Sequence, residues 1–156
     1  MDTNIGIPSD NAKTIVDILN RLLSDEYLLY TKTRNYHWNV TGMQFHDLHK
    51  FFESQYKELD VIIDDVAERE RSLGGKAKAT LSEFTRNSRL KEQPDTYPEA
   101  QTMLRNLLLD HDSVIQALRQ DLETCATLGD AGTSDFLTGL MEQHEKMAWM
   151  LRSFLE

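Results

Sequence analysis

Six side chains in one stretch have the types and spacing to bind a metal: His37, His49, Glu53, Asp60, Asp64 and Glu68. They lie in HWNVTGMQFHDLHKFFESQYKELDVIIDDVAERERSLGG, which begins at His37. The steps from His49 to Glu53, from Asp60 to Asp64 and from Asp64 to Glu68 are each four residues. On an α-helix that step stacks side chains along one face. Stacked carboxylates repel one another, and a bound cation is the usual reason to keep them together. Oxygen and imidazole ligands suit iron, manganese or zinc.

Such a stripe needs a long helix to carry it, and helical periodicity dominates the chain while period-two alternation is almost absent. Four long helices are predicted. The first spans 9–38, capped by Ser9 or Asp10 after Pro8 and ended by the turn-like NVTG at 39–42. The second spans 44–73 and stops at Gly74 and Gly75. With His49 at zero and about 100° per residue, Leu48, Phe52, Leu59, Ile63 and Val66 fall between about −100° and −40°. His49, Glu53, Asp60, Asp64 and Glu68 fall between about 0° and +100°, so the ligand stripe borders the core stripe. Residues 76–98 are a polar connection, with room for a short helix at LSEF. The third helix spans 99–128 and ends at Gly129; the fourth spans 134–155, capped by Ser134 or Asp135. Two helices, a long crossover and two more helices describe an all-α, ferritin-like four-helix bundle, one domain over 1–156.

Bulk properties narrow the function classes. The 156 residues suffice for one sizeable core. A net charge of −9 does not draw DNA or anionic membranes through the overall field. The first thirteen residues, MDTNIGIPSDNAK, hold one lysine against two aspartates and do not make a basic arm. No apolar run is long enough for a membrane span or follows a basic start as in a signal peptide. The single cysteine, Cys125, excludes an intrachain disulfide, reads as a small buried residue and fits a reducing cytosol. With no signal peptide or span in the sequence, the cytosol is the expected compartment.

Bundles that hold two irons inside one subunit use Glu-x-x-His pairs. The residues three places before the five histidines are Arg34, Met43, His46, Leu108 and Met141, and none is a glutamate. The usual internal site cannot form, which leaves the flank of the second helix. His111 and His144 lie near apolar faces and read as structural.

The stretch from His37 to Gly75 closely resembles the Dps family, the mini-ferritins or DNA-protecting proteins of starvation. The likeness rests on HW at His37–Trp38, G-x-x-F-x-x-L-H ending at His49, Phe52–Glu53, and D-x-x-A-E-R at Asp64–Arg69 before LGG. It extends over nearly the whole chain, the ending LGDAGTSDFLTGLMEQHEKMAWMLRSFL included. This resemblance implies a hollow homododecamer with a ferroxidase centre between two-fold-related subunits. The matching ligands are His37, His49 and Glu53 of one chain with Asp64 and Glu68 of another; Glu53 stands where some members have aspartate. The resemblance further implies oxidation of Fe(II) to Fe(III), with hydrogen peroxide preferred, and storage of ferric mineral. Asp130 and Asp135 match the region where members line a pore with acids, although a helix cap and a loop acid are equally ordinary readings. Trp38 matches an aromatic residue beside the centre, with interface packing as the plain alternative, and Asp60 matches no primary ligand. Two other readings stay open: a nucleoid protein that binds DNA, although tight binding is not expected without a basic arm, and a metal-free structural bundle.

Overall fold

A computed structural model describes residues 3–156. Among the described residues, five helices account for the regular structure: α1 (Ser9–Asn39), α2 (Phe45–Ser72), α3 (Leu81–Asn87), α4 (Ala100–Thr127) and α5 (Ala131–Ser153). Their chief packing partners are α1 with α2 and α4 with α5, and the two hairpins meet where α1 touches α4 and α2 touches α5. The cross-links fix the directions. Asn11, near the start of α1, donates to the Leu128 carbonyl at the end of α4 (2.9 Å), and Tyr36, near the end of α1, accepts from Asn106 near the start of α4 (2.9 Å). Hence α1 and α4 are antiparallel, and the connection between α2 and α4 travels the length of the bundle. This is the ferritin-like topology that the helix pattern predicts.

The core follows from the apolar stripes. Leu19, Leu22 and Leu29 of α1, Phe52 and Leu59 of α2, Leu107 and Leu118 of α4, and Leu137 and Leu151 of α5 are fully buried. Replacing one such leucine by alanine costs about 2–5 kcal/mol, mostly as lost apolar contact and an incompletely filled cavity. Cys125 is buried, and that burial pushes its thiol up to about 11, far from a reactive thiolate.

Helix ends differ from the sequence reading in informative ways. Ser9 is already the first helical residue of α1; Pro8 precedes it in extended backbone, and neither Ser9 nor Asp10 caps by side chain. α5 begins at Ala131, three residues earlier than the predicted 134, because Asp130 takes the N-cap and accepts from the Thr133 N–H (2.9 Å). Ser134 and Asp135 therefore lie inside the helix. The short helix in the crossover runs beyond LSEF to Asn87 and is started by a capping box between Thr80 and Glu83. Gly75 lies hard against α1: a Cβ there would stand 2.5 Å from a Val16 methyl carbon.

A polar chain crosses the core. His111 of α4 and His144 of α5 approach at 2.9 Å through their Nδ1 atoms, and His144 Nε2 lies 2.8 Å from Glu26 Oε1 of α1. All three side chains are 0 % exposed. Burial drives His111 well below the ordinary imidazole range, so it stands neutral. Both histidines serve the packed interior, as their apolar surroundings in sequence suggest.

Candidate metal centre

The loop at 40–44 brings the end of α1 against the start of α2, and with them His37 and His49. Their rings stack with centroids 3.8 Å apart and planes 18° from parallel. Each ring is pinned by the other residue's backbone: His37 Nδ1 lies 2.7 Å from the His49 carbonyl, and His49 Nδ1 lies 2.8 Å from the His37 carbonyl. A carbonyl only accepts, so each Nδ1 carries a proton, and in the neutral ring it is then Nε2 that holds the lone pair. His37 sits in the last turn of α1, where a carbonyl has no partner further along the helix, and His49 supplies one. Two neighbouring imidazoles with the tautomer fixed by a carbonyl and Nε2 free is the arrangement found at metal-binding histidines.

Glu53, one turn beyond His49, is 24 % exposed and held between Lys57 (2.7 Å) and Lys50 (3.3 Å). Those two ammonium groups, Lys57 first, pull its carboxyl down to about 2, so it is anionic throughout the physiological range. Tyr56 packs edge-on to His37 at 5.2 Å. Phe45 stacks on the other histidine, His49, at 5.2 Å. Arg34 lies over the rings of Tyr56, Trp38 and Tyr30 at 4.8, 5.0 and 5.6 Å. Trp38 itself is 63 % exposed.

Asp60, Asp64 and Glu68 continue the stripe and are exposed. The eleven residues from Glu53 to Asp64 correspond to about 16 Å of helix, well beyond the span of one coordination shell. Consistent with that separation, no group of three or more His, Cys, Asp or Glu side chains among the described residues converges on one point. The candidate ligands thus fall in two separate places: His37 at the end of α1 beside His49 and Glu53 near the start of α2, and Asp64 with Glu68 a turn apart further along α2.

The two acids read from sequence near the last turn part company. Asp130 is 3 % exposed and fully engaged: Arg69 Nη2 donates to it at 3.0 Å, and the Thr133 N–H and hydroxyl donate as well. Burial pushes its carboxyl up, but the Thr133 and Arg69 bonds outweigh that and hold it low. It caps α5 and is almost wholly buried. Asp135 is exposed.

The ferritin-like family model matches residues 16–156. The DNA protection during starvation protein 2 of Bacillus anthracis is 38 % identical over 144 residues, covering 92 % of this chain and 97 % of that one. The chain belongs to the Dps family. An uncharacterised low temperature-induced protein of Nostoc sp. is 44 % identical over 154 residues, covering 98 % of this chain and 86 % of its own length. Among solved structures, the Dps protein of Vibrio cholerae O1, described as a ferritin-like diiron-carboxylate protein, superposes with a TM-score of 0.93 at 30 % identity, over 100 % of this chain and 98 % of that one. These likenesses establish the Dps bundle as the fold and place the chain among ferritin-like proteins whose relatives are named for protection under stress.

Sequence reasoning passed over the lysines on Glu53 and the Arg34–Tyr56–Tyr30 cluster. Both had a local signal. Lys50 and Lys57 stand three before and four after Glu53, and Tyr30, Arg34 and His37 follow steps of four and three.

Proposed function

We propose that this Dps protein is a ferroxidase and iron store whose centre is shared between two copies of the chain. His37, His49 and Glu53 of one copy face Asp64 and Glu68 of a two-fold-related copy, and Fe(II) binds in the seam. The observation that carries this reading is the division of the proposed ligands into two groups: His49 and Glu53 on α2 with His37 of α1 beside them, and Asp64 with Glu68 about 16 Å further along the same rigid α2. An isologous pairing brings each half against the other, and does so twice per dimer.

The side chains then have separable roles. The Nε2 atoms of His37 and His49 accept the entering ferrous ion without rearrangement, because their Nδ1 atoms are already fixed. Glu53, Asp64 and Glu68 are hard anionic ligands that favour Fe(III) over Fe(II), which assists electron loss to hydrogen peroxide. Lys50 and Lys57 neutralise Glu53 until the metal displaces them. Carboxylates stacked on an exposed helix face are relieved of mutual repulsion when a cation and a second copy arrive, so metal binding favours association. The ferric product is kept inside a dodecameric shell in the cytosol, and Asp135 lines the route by which iron enters.

Protection of DNA then follows from removing iron and peroxide and does not require binding, since the chain carries a charge of −9. Nanomolar affinity in a gel-shift assay at physiological salt would contradict that part.

Anaerobic Fe(II) titration followed by peroxide tests the centre. The wild type binds saturably and then develops ferric absorbance. Joint replacement His37→Ala and His49→Ala removes rapid oxidation and leaves particle mass unchanged. Unaltered initial rates in that double variant would remove these residues from the centre. Titration with zinc or manganese in competition reports whether iron is preferred, because similar ligands accept all three.

A further inference from the structure

We propose that the buried chain of Glu26, His144 and His111 is an acid-operated lock: it ties α1, α5 and α4 together at neutral pH, and mild acid opens the bundle there because the packed interior has no place for the protons that these groups take up once exposed. The lock is separate from the metal centre and does not depend on the ferroxidase reading.

Three helices meet in this chain. His144 Nε2 lies 2.8 Å from Glu26 Oε1, and the two Nδ1 atoms lie 2.9 Å apart. The outermost atoms, Glu26 Oε2 and His111 Nε2, are buried without a hydrogen-bond partner. Charged residues next to the chain in sequence are turned elsewhere. Asp25 is held by Ser88 and Arg89, Asp110 by Lys32, Asp112 by Arg152, and Glu145 by Arg119. From α2 comes Gln55, which donates to the Met147 carbonyl at 3.2 Å; the buried acid of that helix, Glu70, stands fifteen residues further along. The three members therefore have only one another as counter-charges.

Counting protons shows where the strain arises. Each of the two hydrogen bonds holds one proton, which leaves Glu26 anionic and both imidazoles neutral. A third proton makes a buried donor with no acceptor at one end of the chain or the other. A fourth makes the chain positive with no anion to face it. Burial accordingly drives His111 well below the ordinary imidazole range. In the opened bundle the same groups are hydrated, so below about pH 6.5 both imidazoles charge, and Glu26 stays ionised down to about pH 4.3. That state holds four protons where the closed one holds two or three. Because the folded value of His111 is depressed, the stability it carries is complete above about pH 6.5 and is lost as the pH falls below it. Opening in this window takes up one to two protons, so its equilibrium constant rises about ten- to a hundredfold for each pH unit lost. Packing alone does not call for such a chain, since apolar side chains of similar volume often serve a core as well or better.

The test is hydrogen exchange of the assembled, iron-free protein, followed by mass spectrometry from about pH 7.5 to about pH 4.5 and corrected for the intrinsic pH dependence of exchange. Protection of core amides in α4 and α5 is expected to fall at least about tenfold per pH unit below about pH 6.5. His111→Leu is expected to flatten that slope, and the joint change Glu26→Leu, His111→Leu and His144→Leu to flatten it further. Leu118→Ala, a cavity in the same core, is expected to lower protection at every pH and keep the wild-type slope. The slope is the readout because loss of a merely structural contact shifts protection without changing how many protons opening takes up. Protection in the wild type that does not vary over this window, or a wild-type slope in His111→Leu, would overturn the proposal. Particle mass on the same samples gives a further check: subunits that separate in acid equally in wild type and His111→Leu, before core protection falls, would place the acid response at subunit contacts and overturn the lock.

Discussion

At the scale of single residues, the two histidines and Glu53 are prepared in opposite ways. His37 and His49 are fixed by backbone carbonyls and present a free nitrogen. Glu53 is occupied by two lysines that a metal ion bound at the proposed centre would have to displace. Ion pairs at a protein surface contribute little and are screened by salt. Their removal therefore has a modest effect with a definite sign. Replacing Lys50 and Lys57 together by alanine is expected to tighten the first Fe(II) binding step a few-fold, as measured by anaerobic calorimetry at low salt, with the gain shrinking as salt rises. Weaker binding in that variant would mean that the lysines assist the site instead of competing for it.

At the scale of elements, one side chain joins α2 to the last hairpin. Arg69 follows Glu68 directly and reaches across to Asp130, which caps α5. Removing the Asp130 carboxylate deletes an N-cap and leaves a half-buried guanidinium short of a partner. Asp130→Ala is expected to cost about 1–3 kcal/mol, read as a lower thermal midpoint, while initial iron uptake per assembled particle stays near wild type. Asp135→Asn is expected to do the reverse, slowing uptake and sparing stability, because its side chain is exposed and belongs to the proposed entry route. Slow uptake in the Asp130 variant at full assembly would return Asp130 to the pore.

At the scale of the whole molecule, the single chain is complete as a bundle and incomplete as a centre. Its core is continuous, yet the proposed ligands are divided between the α1–α2 turn and a place further along α2. A shared site makes a complementation prediction. The pair His37→Ala and His49→Ala is inactive, and so is the pair Asp64→Ala and Glu68→Ala. Dissociated, mixed in equal amounts and reassembled at random, the two variants should recover about a quarter of wild-type ferroxidase activity, because half the dimers are mixed and each mixed dimer rebuilds one intact centre. No recovery in particles verified as mixed by mass spectrometry would place the ligands within one chain or outside the centre.

The sequence by itself determined the elements and the residue types available as candidate ligands. Helix periodicity is local, so α1, α2 and α4 lie within a residue of the predicted spans, and the four-residue steps of His49, Glu53, Asp64 and Glu68 fixed a common face without reference to any other helix. Helix starts were less legible: at α5 the choice of Asp130 over Ser134 or Asp135 depends on Arg69, which is sixty-one residues away in sequence. Only the tertiary structure decided the rest. It set the histidine tautomers, because a ring nitrogen's proton follows a carbonyl twelve residues off. It withdrew Asp130 from solvent, and it lined up Tyr27, Tyr30 and Tyr56 from two helices. The physical reason is the same in each case: side-chain spacing is inherited from one helix, whereas protonation, burial and ring-to-ring contact are properties of the partners that packing supplies.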